Sequence, residues 1–495
     1  MRHGILFLLT LLFVGVGCNR VAETETAVSS TIQPTNQQTI TILYTNDEHG
    51  WMEGMAEGSG AAELLDLWQT EEGYAPDDPS FIILSGGDMW TGPAISTWFD
   101  GEGMVEVMNE MGYDAAAVGN HEFDFGLDML QVRQAQSEFP LLSANMRYAE
   151  NNELPTDLGI LPYTILPVHD VAVGIIGLTT TSTPWTTNPN NVADFNFIEY
   201  ETALRDVVPL VQAEGADLIV VAGHVCQGEL EGLATAVSDL GIHLFGGGHC
   251  NELFAKERAG AVLLEGGHHL RSYARAVFTV DPATGTVAVV AFGTVQNEGG
   301  TAVSEIQTIV QKWREATNDE LNMVIGYTAA GIGQRSPEMQ ALITHAWLAG
   351  YPSADVAITN SGGFRAAIDP GEITLADIVG VLPFDNVIMA VSLSGEELLT
   401  TLAIAQNDAI AGVSRQNGQW ILNSSGNVID TQATYTLLVN DFMYAGGDDY
   451  TLLAAADPEA YNSAIDWRQP VIDWIIAQKS TKNNPLDDAL MGLLE

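Results

Sequence analysis

The chain has 495 residues, more than one hydrophobic core ordinarily supports, so two domains are expected. Its apolar content of 46% is that of a globular protein, while 17 basic against 64 acidic side chains leave a formal charge of −47. Such a surface repels a phosphate backbone and argues against a nucleic-acid polymer as partner, although a small anion greeted by local cations is compatible with it.

At the N-terminus, Arg2 and His3 precede an uncharged, mostly apolar run from Gly4 to Gly17, which ends at Cys18. The run is too short to span a bilayer but suits the core of a signal peptide, so export is expected. Gly15-Val16-Gly17-Cys18 resembles the bacterial lipoprotein cleavage box, with Gly15 where Leu is usual, and predicts a lipid anchor on Cys18, a 1–18 leader and a polar 19–38 tether. The location implied is the cell surface or periplasm, with membrane attachment through the anchor alone. From residue 39 apolar segments of strand type alternate with amphipathic segments of helical type, which predicts an α/β body. The strands expected are Thr39–Tyr44, Phe81–Leu84, Ala115–Val118, Val171–Leu178, Leu218–Ala222 and Ile242–Phe245. The helices expected are Ala61–Thr70, Met104–Met111, Leu127–Ser137 and Glu201–Glu214. A polar helix, Ser304–Thr317, then precedes a second set of elements near Val324, so the boundaries expected are 39–300, a 301–323 linker helix and 324–495.

The chemistry-bearing residues follow the predicted strand ends, where α/β proteins place ligands. Thr45-Asn46-Asp47-Glu48-His49-Gly50 offers a carboxylate and an imidazole two positions apart, which extended backbone would turn to one side. Ser85-Gly86-Gly87-Asp88 offers one carboxylate beside glycines that permit close backbone approach. Gly119-Asn120-His121-Glu122-Phe123-Asp124 offers an amide, an imidazole and a carboxylate, and Ala222-Gly223-His224 and Gly246-Gly247-Gly248-His249-Cys250-Asn251 complete the series. Mixed carboxylate, imidazole and amide donors suit Zn, Mn or Fe better than a calcium or magnesium cage. Cys226 and Cys250 each lie within two residues of one of these histidines and are expected as neighbours in space, free thiols being favoured over the alternative of a bridge because two cysteines make no disulfide framework.

The order Asp-x-His, Gly-Gly-Asp, Gly-Asn-His-Glu-Phe-Asp, Gly-His and Gly-Gly-His-x-Asn resembles the calcineurin-like metallophosphoesterases, specifically the 5'-nucleotidase family. Three later segments, Ile358 to Arg365, Leu382 to Asn386 and Asn440 to Tyr450, are similar to that family's nucleotide-recognition segments. The resemblance implies an N-terminal sandwich of two sheets flanked by helices, joined by a helix to a smaller α/β substrate-recognition domain. It implies two divalent transition metal ions: Asp47, His49 and Asn251 around one, Asn120, His224 and His249 around the other, and Asp88 between them. The family often has His or Gln at the Asn251 position, so that metal is expected to be held more weakly. His121 and Asp124 match the catalytic dyad, with His121 as a further metal ligand the alternative. Phe384 and Phe442 match the pair that stacks a base, Arg365 and Asn360 phosphate or carboxylate contacts, and Asp448 a ribose or base contact. Arg335, in a more loosely matching stretch, is a candidate for a further phosphate contact. His268 and His269 have no counterpart among the ligands and are expected in an outer or surface role, while His243 stands where the family has a carboxylate. Hydrolysis of nucleoside 5'-monophosphates is the activity implied. Cyclic-nucleotide, nucleotide-sugar or dinucleotide hydrolysis and thiosulfohydrolysis are alternatives, the aromatic pair speaking against the last. A non-catalytic surface nucleotide-binding protein is the alternative from another class.

Overall fold

The computed structural model describes residues 37–56 and 58–494. The leader, Cys18 and nearly all of the tether lie outside the described residues, and the first strand begins at Gln38, inside the stretch assigned to the tether. Residues 38–296 form two six-stranded sheets packed face to face. In the first, Gln38–Thr45 lies at the centre, parallel to Phe81–Ser85 and antiparallel to Ser272–Asp281; Ala115–Ala117 and Leu141–Leu142 continue it on one side and Thr286–Gln296 closes the other. In the second, Val171–Leu178, Leu218–Gly223, Leu244–Gly246 and Ala261–Gly266 run parallel between two antiparallel edge strands.

The composition of the strands explains this stacking. Leu218-Ile219-Val220-Val221-Ala222-Gly223 is apolar at every position and buried throughout, as strands covered on both faces must be. Val220, Ala222, Leu244 and Leu264 meet Ile40, Ile42, Tyr44 and Leu84 between the sheets. The opposite faces pack under helices: Leu43 and Ile83 beneath Ala61–Leu67 and Glu102–Met111, Ile219 and Val221 beneath Tyr200–Ala213 and Gln227–Ala236. The predicted Ala61–Thr70 helix ends at Leu67 and passes into a wider π turn, Trp68–Glu72. The strand predicted from Ile242 begins at Leu244, after His243 has used its ring to accept the Ile219 N–H at 3.2 Å.

The helix Ser304–Leu321, one turn longer than predicted, leans on Glu102–Met111 through Trp313. Its indole donates to Glu106 at 2.8 Å, and a Cβ on Gly103 would lie 2.9 Å from the indole, so the close approach requires glycine. Beyond it a five-stranded mixed sheet, centred on Thr434–Asn440, carries Pro337–Gly350 on one face and Gly395–Ile404 on the other, the latter opened by a Ser394/Glu397 capping box.

Cys226 and Cys250 are not free thiols. They form a disulfide with Cα atoms 5.2 Å apart. The reason lies in sheet order: Leu244–Gly246 pairs directly beside Leu218–Gly223, so loops 24 residues apart in sequence leave the sheet side by side.

Candidate active site

The parallel strands of both sheets end at one edge, and the loops after Thr45, Ser85, Ala117, Gly223 and Gly246 converge there. Strand geometry does not persist through Asp47 and His49, which adopt φ of 50° and 47°; the turn rather than the strand brings both to one cavity. Asp88 (φ 59°), His249 and Asn251 are likewise left-handed, a concentration of backbone strain that only a well-braced site maintains. Much of the bracing comes from Glu122, whose buried carboxylate accepts the N–H groups of Asp88, Met89 and Gly119 at 2.8, 2.7 and 2.6 Å.

Asp88 is the hub. His224 Nε2 lies 3.0 Å from one of its oxygens and His49 Nε2 3.9 Å from the same oxygen, while the other accepts the His121 N–H at 2.9 Å. Two groups able to hold a cation result: His49, Asp88 and His121, and Asp88, His224 and His249. His224 also stands 3.1 Å from Asn120 Oδ1, and its other nitrogen is 2.8 Å from the Gly86 carbonyl. Asp47 Oδ1 is buried without a hydrogen-bond partner, 3.8 Å from His49 Nε2, whereas Oδ2 accepts from Asn46 and His249. An orphaned carboxylate oxygen amid imidazole and amide donors is what a divalent transition metal ion would satisfy, so the residues fit such a group.

Charge in the nest is strongly coupled to burial. Desolvation works against ionised Asp88, but His224, His121 and His49 overcome it and hold the carboxyl well below its usual range. Burial opposes charge on His224, but Asp88 together with Asp47 and Glu122 pushes it up to about 10. Burial, then the Arg365 cation, pushes His49 down, and burial, then His224, takes His249 to about 4.

His121 Nδ1 lies 2.8 Å from Asp124 Oδ2, and Thr187 donates to the other Asp124 oxygen at 3.0 Å. Burial would lower His121, yet Asp124 and Asp88 raise it, so the ring favours imidazolium. The same ring stacks on Phe384 at 5.7 Å, and Arg365 reaches in from the later part of the chain, its Nη2 3.1 Å from His49 Nε2. Asn360 donates to Asp448 at 2.7 Å and accepts from Asn440 at 2.9 Å. Phe442 lies over Gly447, where a Cβ would come within 2.3 Å of the ring.

One cavity of about 250 Å³ is therefore lined from both parts of the chain. Asp47, His49, Asp88, Asn120, His121, Asp124, His249 and Asn251 face Asn360, Arg365, Phe384, Phe442 and Asp448. His224 sits fully buried behind them, and Arg335 is exposed and outside the lining. His269 backs the site: its N–H donates to the Asp47 carbonyl at 2.8 Å, and its ring stacks on Trp51. Sequence reasoning missed Thr186, Thr187 and Asn188, which also line the cavity; the run of Thr and Asn from Thr179 to Asn191, directly after an apolar strand, was the available signal.

Residues 324–455 match the model of the 5'-nucleotidase C-terminal domain. The chain is 27% identical over 491 residues to a trifunctional nucleotide phosphoesterase of Bacillus subtilis; that alignment covers 84% of this chain and about a third, 32%, of the larger relative. It is also 27% identical over 514 residues to a 5'-nucleotidase of Vibrio cholerae, covering 90% and 91% of the two chains. The solved structure of a 5'-nucleotidase precursor from Thermus thermophilus superposes with a TM-score of 0.75 at 22% identity, over 90% of this chain and 97% of that one. Residues 324–455 thus carry a 5'-nucleotidase C-terminal domain, and the fold of the whole is shared with that solved precursor. The domain match and these relatives support a phosphoric monoester hydrolase.

Proposed function

We propose that this protein is an exported hydrolase that releases phosphate from nucleoside 5'-monophosphates, with the ester at the Asp88 nest and the base between Phe384 and Phe442. The observation that carries this reading is the sharing of one cavity by a cation-binding nest and two aromatic rings, with Phe384 against the dyad histidine itself. Asp47, His49 and Asn251 would hold one divalent cation and Asn120, His224 and His249 the other, with Asp88 common to both. Bound there, such ions stabilise phosphoryl charge and make a water more acidic. The chain's own groups do the rest. His121, kept protonated by Asp124, donates to the phosphoryl or leaving oxygen, and Arg365 pairs with the oxygens as a planar fork. The two rings grip any base face, so they select nucleotides as a class. The disulfide supports an oxidising compartment, the destination expected of the proposed leader at 1–18.

The test is phosphate release by the Mn- or Zn-loaded protein from nucleoside mono-, di- and cyclic phosphates and nucleotide sugars. Preferential turnover of 5'-monophosphates is expected. Preferred turnover of cyclic nucleotides or nucleotide sugars would reassign the substrate, and bound metal with no phosphate from any nucleotide would mark a binding protein.

A further inference from the structure

His224 and His249 leave neighbouring parallel strands, yet the fold secures them unequally. His224 is fully buried, has a contact at each ring nitrogen, and donates its N–H to the Leu178 carbonyl at 2.8 Å. His249 follows three glycines and is partly exposed, with φ of 76°, and Asn251 two residues on has φ of 57°. Its ring meets the Ser182 hydroxyl at 3.1 Å. Left-handed turns of non-glycine residues persist only when their surroundings hold them. One tie on this turn is the His249 N–H donated to Asp47 Oδ2 at 3.0 Å. A second is the disulfide, which fastens the residue after His249 to the second residue after His224. It lies within a short ladder between the two loops, in which Gly248 donates to Val225 at 3.1 Å and Gln227 to Glu252 at 2.9 Å.

We propose that the Cys226–Cys250 disulfide is a positioning brace for the candidate metal centre: it fixes the His249–Asn251 turn at the spacing from His224 at which both imidazoles share a cation with Asp88. This rests on the two-cation reading above. The Asp47 tie uses a carboxylate that the cations would also claim, so among the ties that do not compete with them the disulfide is the covalent one. Breaking it leaves the buried His224 and the His49 side in place and lets the His249 turn relax. The loss is therefore unequal. The cation assigned to His249 loses an imidazole, whereas the other loses no more than the Asn251 amide.

The experiment compares Co2+ or Mn2+ binding to three metal-free forms of the protein: oxidised, reduced, and carrying Cys226→Ser with Cys250→Ser. Reduction uses a water-soluble phosphine, which takes up oxygen from water to become its oxide as the disulfide gains two electrons and two protons to give two thiols. Reduced protein is desalted without oxygen and its thiols are counted by alkylation and mass spectrometry. The serine pair removes any thiolate ligation. In both bridge-free forms one cation should bind about tenfold more weakly or worse, the range seen when outer supports of a ligand are lost, while the other keeps its affinity within about threefold; reoxidation should restore both. Equal binding curves in all three forms would overturn the proposal, as would uniform weakening of both cations accompanied by a lower melting temperature of the metal-free fold. If the serine pair does not fold, the reduced native protein carries the comparison. No binding of either ion by the oxidised form would instead refute the two-cation reading itself.

Discussion

His121 is held by two features that serve different ends: its ring by Asp124 at 2.8 Å, and its backbone N–H by Asp88 at 2.9 Å. Because the backbone bond organises the nest, removing the ring alone should spare cation binding while removing the proton donor. His121→Ala is expected to lower kcat by roughly 10²- to 10⁴-fold with metal content unchanged by elemental analysis; loss of a metal would make the ring a ligand instead. A second residue tests the electrostatics of the frame away from the site. Asp114 accepts the Ile83 N–H at 2.8 Å, and burial pushes its carboxyl up to about 6, only partly offset by that bond. The folded state then holds this proton more tightly than the unfolded chain, so the contribution to stability is full below about pH 4 and is lost as pH rises through about 6. Asp114→Asn keeps an acceptor for Ile83 and cannot ionise. In the metal-free protein its stability relative to the wild type should improve by about 2 to 3 kcal/mol between pH 4 and pH 7, read by denaturant unfolding at each pH. A difference independent of pH would show that Asp114 is solvated well enough to ionise freely.

At the scale of elements, the loop Gly446–Tyr450 sets the Phe442 ring. Gly447 lies against that ring so closely that a Cβ would stand 2.3 Å from it, and its φ is not left-handed, so alanine disturbs the ring rather than the backbone. Gly447→Ala should raise KM for nucleotides about tenfold, the loss of one stacking contact of about 1 to 1.5 kcal/mol, and leave a small aryl phosphate ester untouched. Parallel loss with both substrates would mean that the loop supports the nest and not the base. Much of this arrangement was legible in the chain. Rare donor residues placed just after apolar strands, such as Asp88 after Phe81–Ser85 and His224 after Leu218–Gly223, need no knowledge of sheet order to be noticed. What depended on sheet order was not legible: Cys226 and Cys250 pair because two particular strands are neighbours, a fact that local sequence does not encode. Thr187 was invisible for another reason, since a hydroxyl beside Asp124 looks like any other threonine until the fold brings 63 residues of separation to 3.0 Å. The left-handed turns at Asp47 and His49 were hidden too, because neither residue is a glycine and tertiary bonds impose the conformation, including Asp47 N–H to the Gly87 carbonyl at 2.9 Å.

The whole molecule sets a field against its own proposed substrate. A formal charge of −47 surrounds a cavity whose lining includes Arg365 and the His121 imidazolium, so a nucleotide dianion must cross a repulsive surface before local positive charge takes over. The screening length shrinks from about 30 Å at 0.01 M salt to about 8 Å at 0.15 M, shorter than the dimensions of the sheets that carry the charge. The approach should therefore ease with salt while the contacts inside the cavity, a few ångströms long, change little. In the metal-loaded protein, KM for a nucleoside monophosphate should fall by about threefold to tenfold over that range as potassium chloride is added, with kcat steady. The same self-repulsion acts on the fold, so the melting temperature of the metal-free chain should rise across the same titration. The two readouts separate the two effects: a rising melting temperature with constant KM would mean that Arg365 and the bound cations alone govern approach, whereas a KM that rises with salt would mean that ion pairing at the site outweighs the field of the whole molecule.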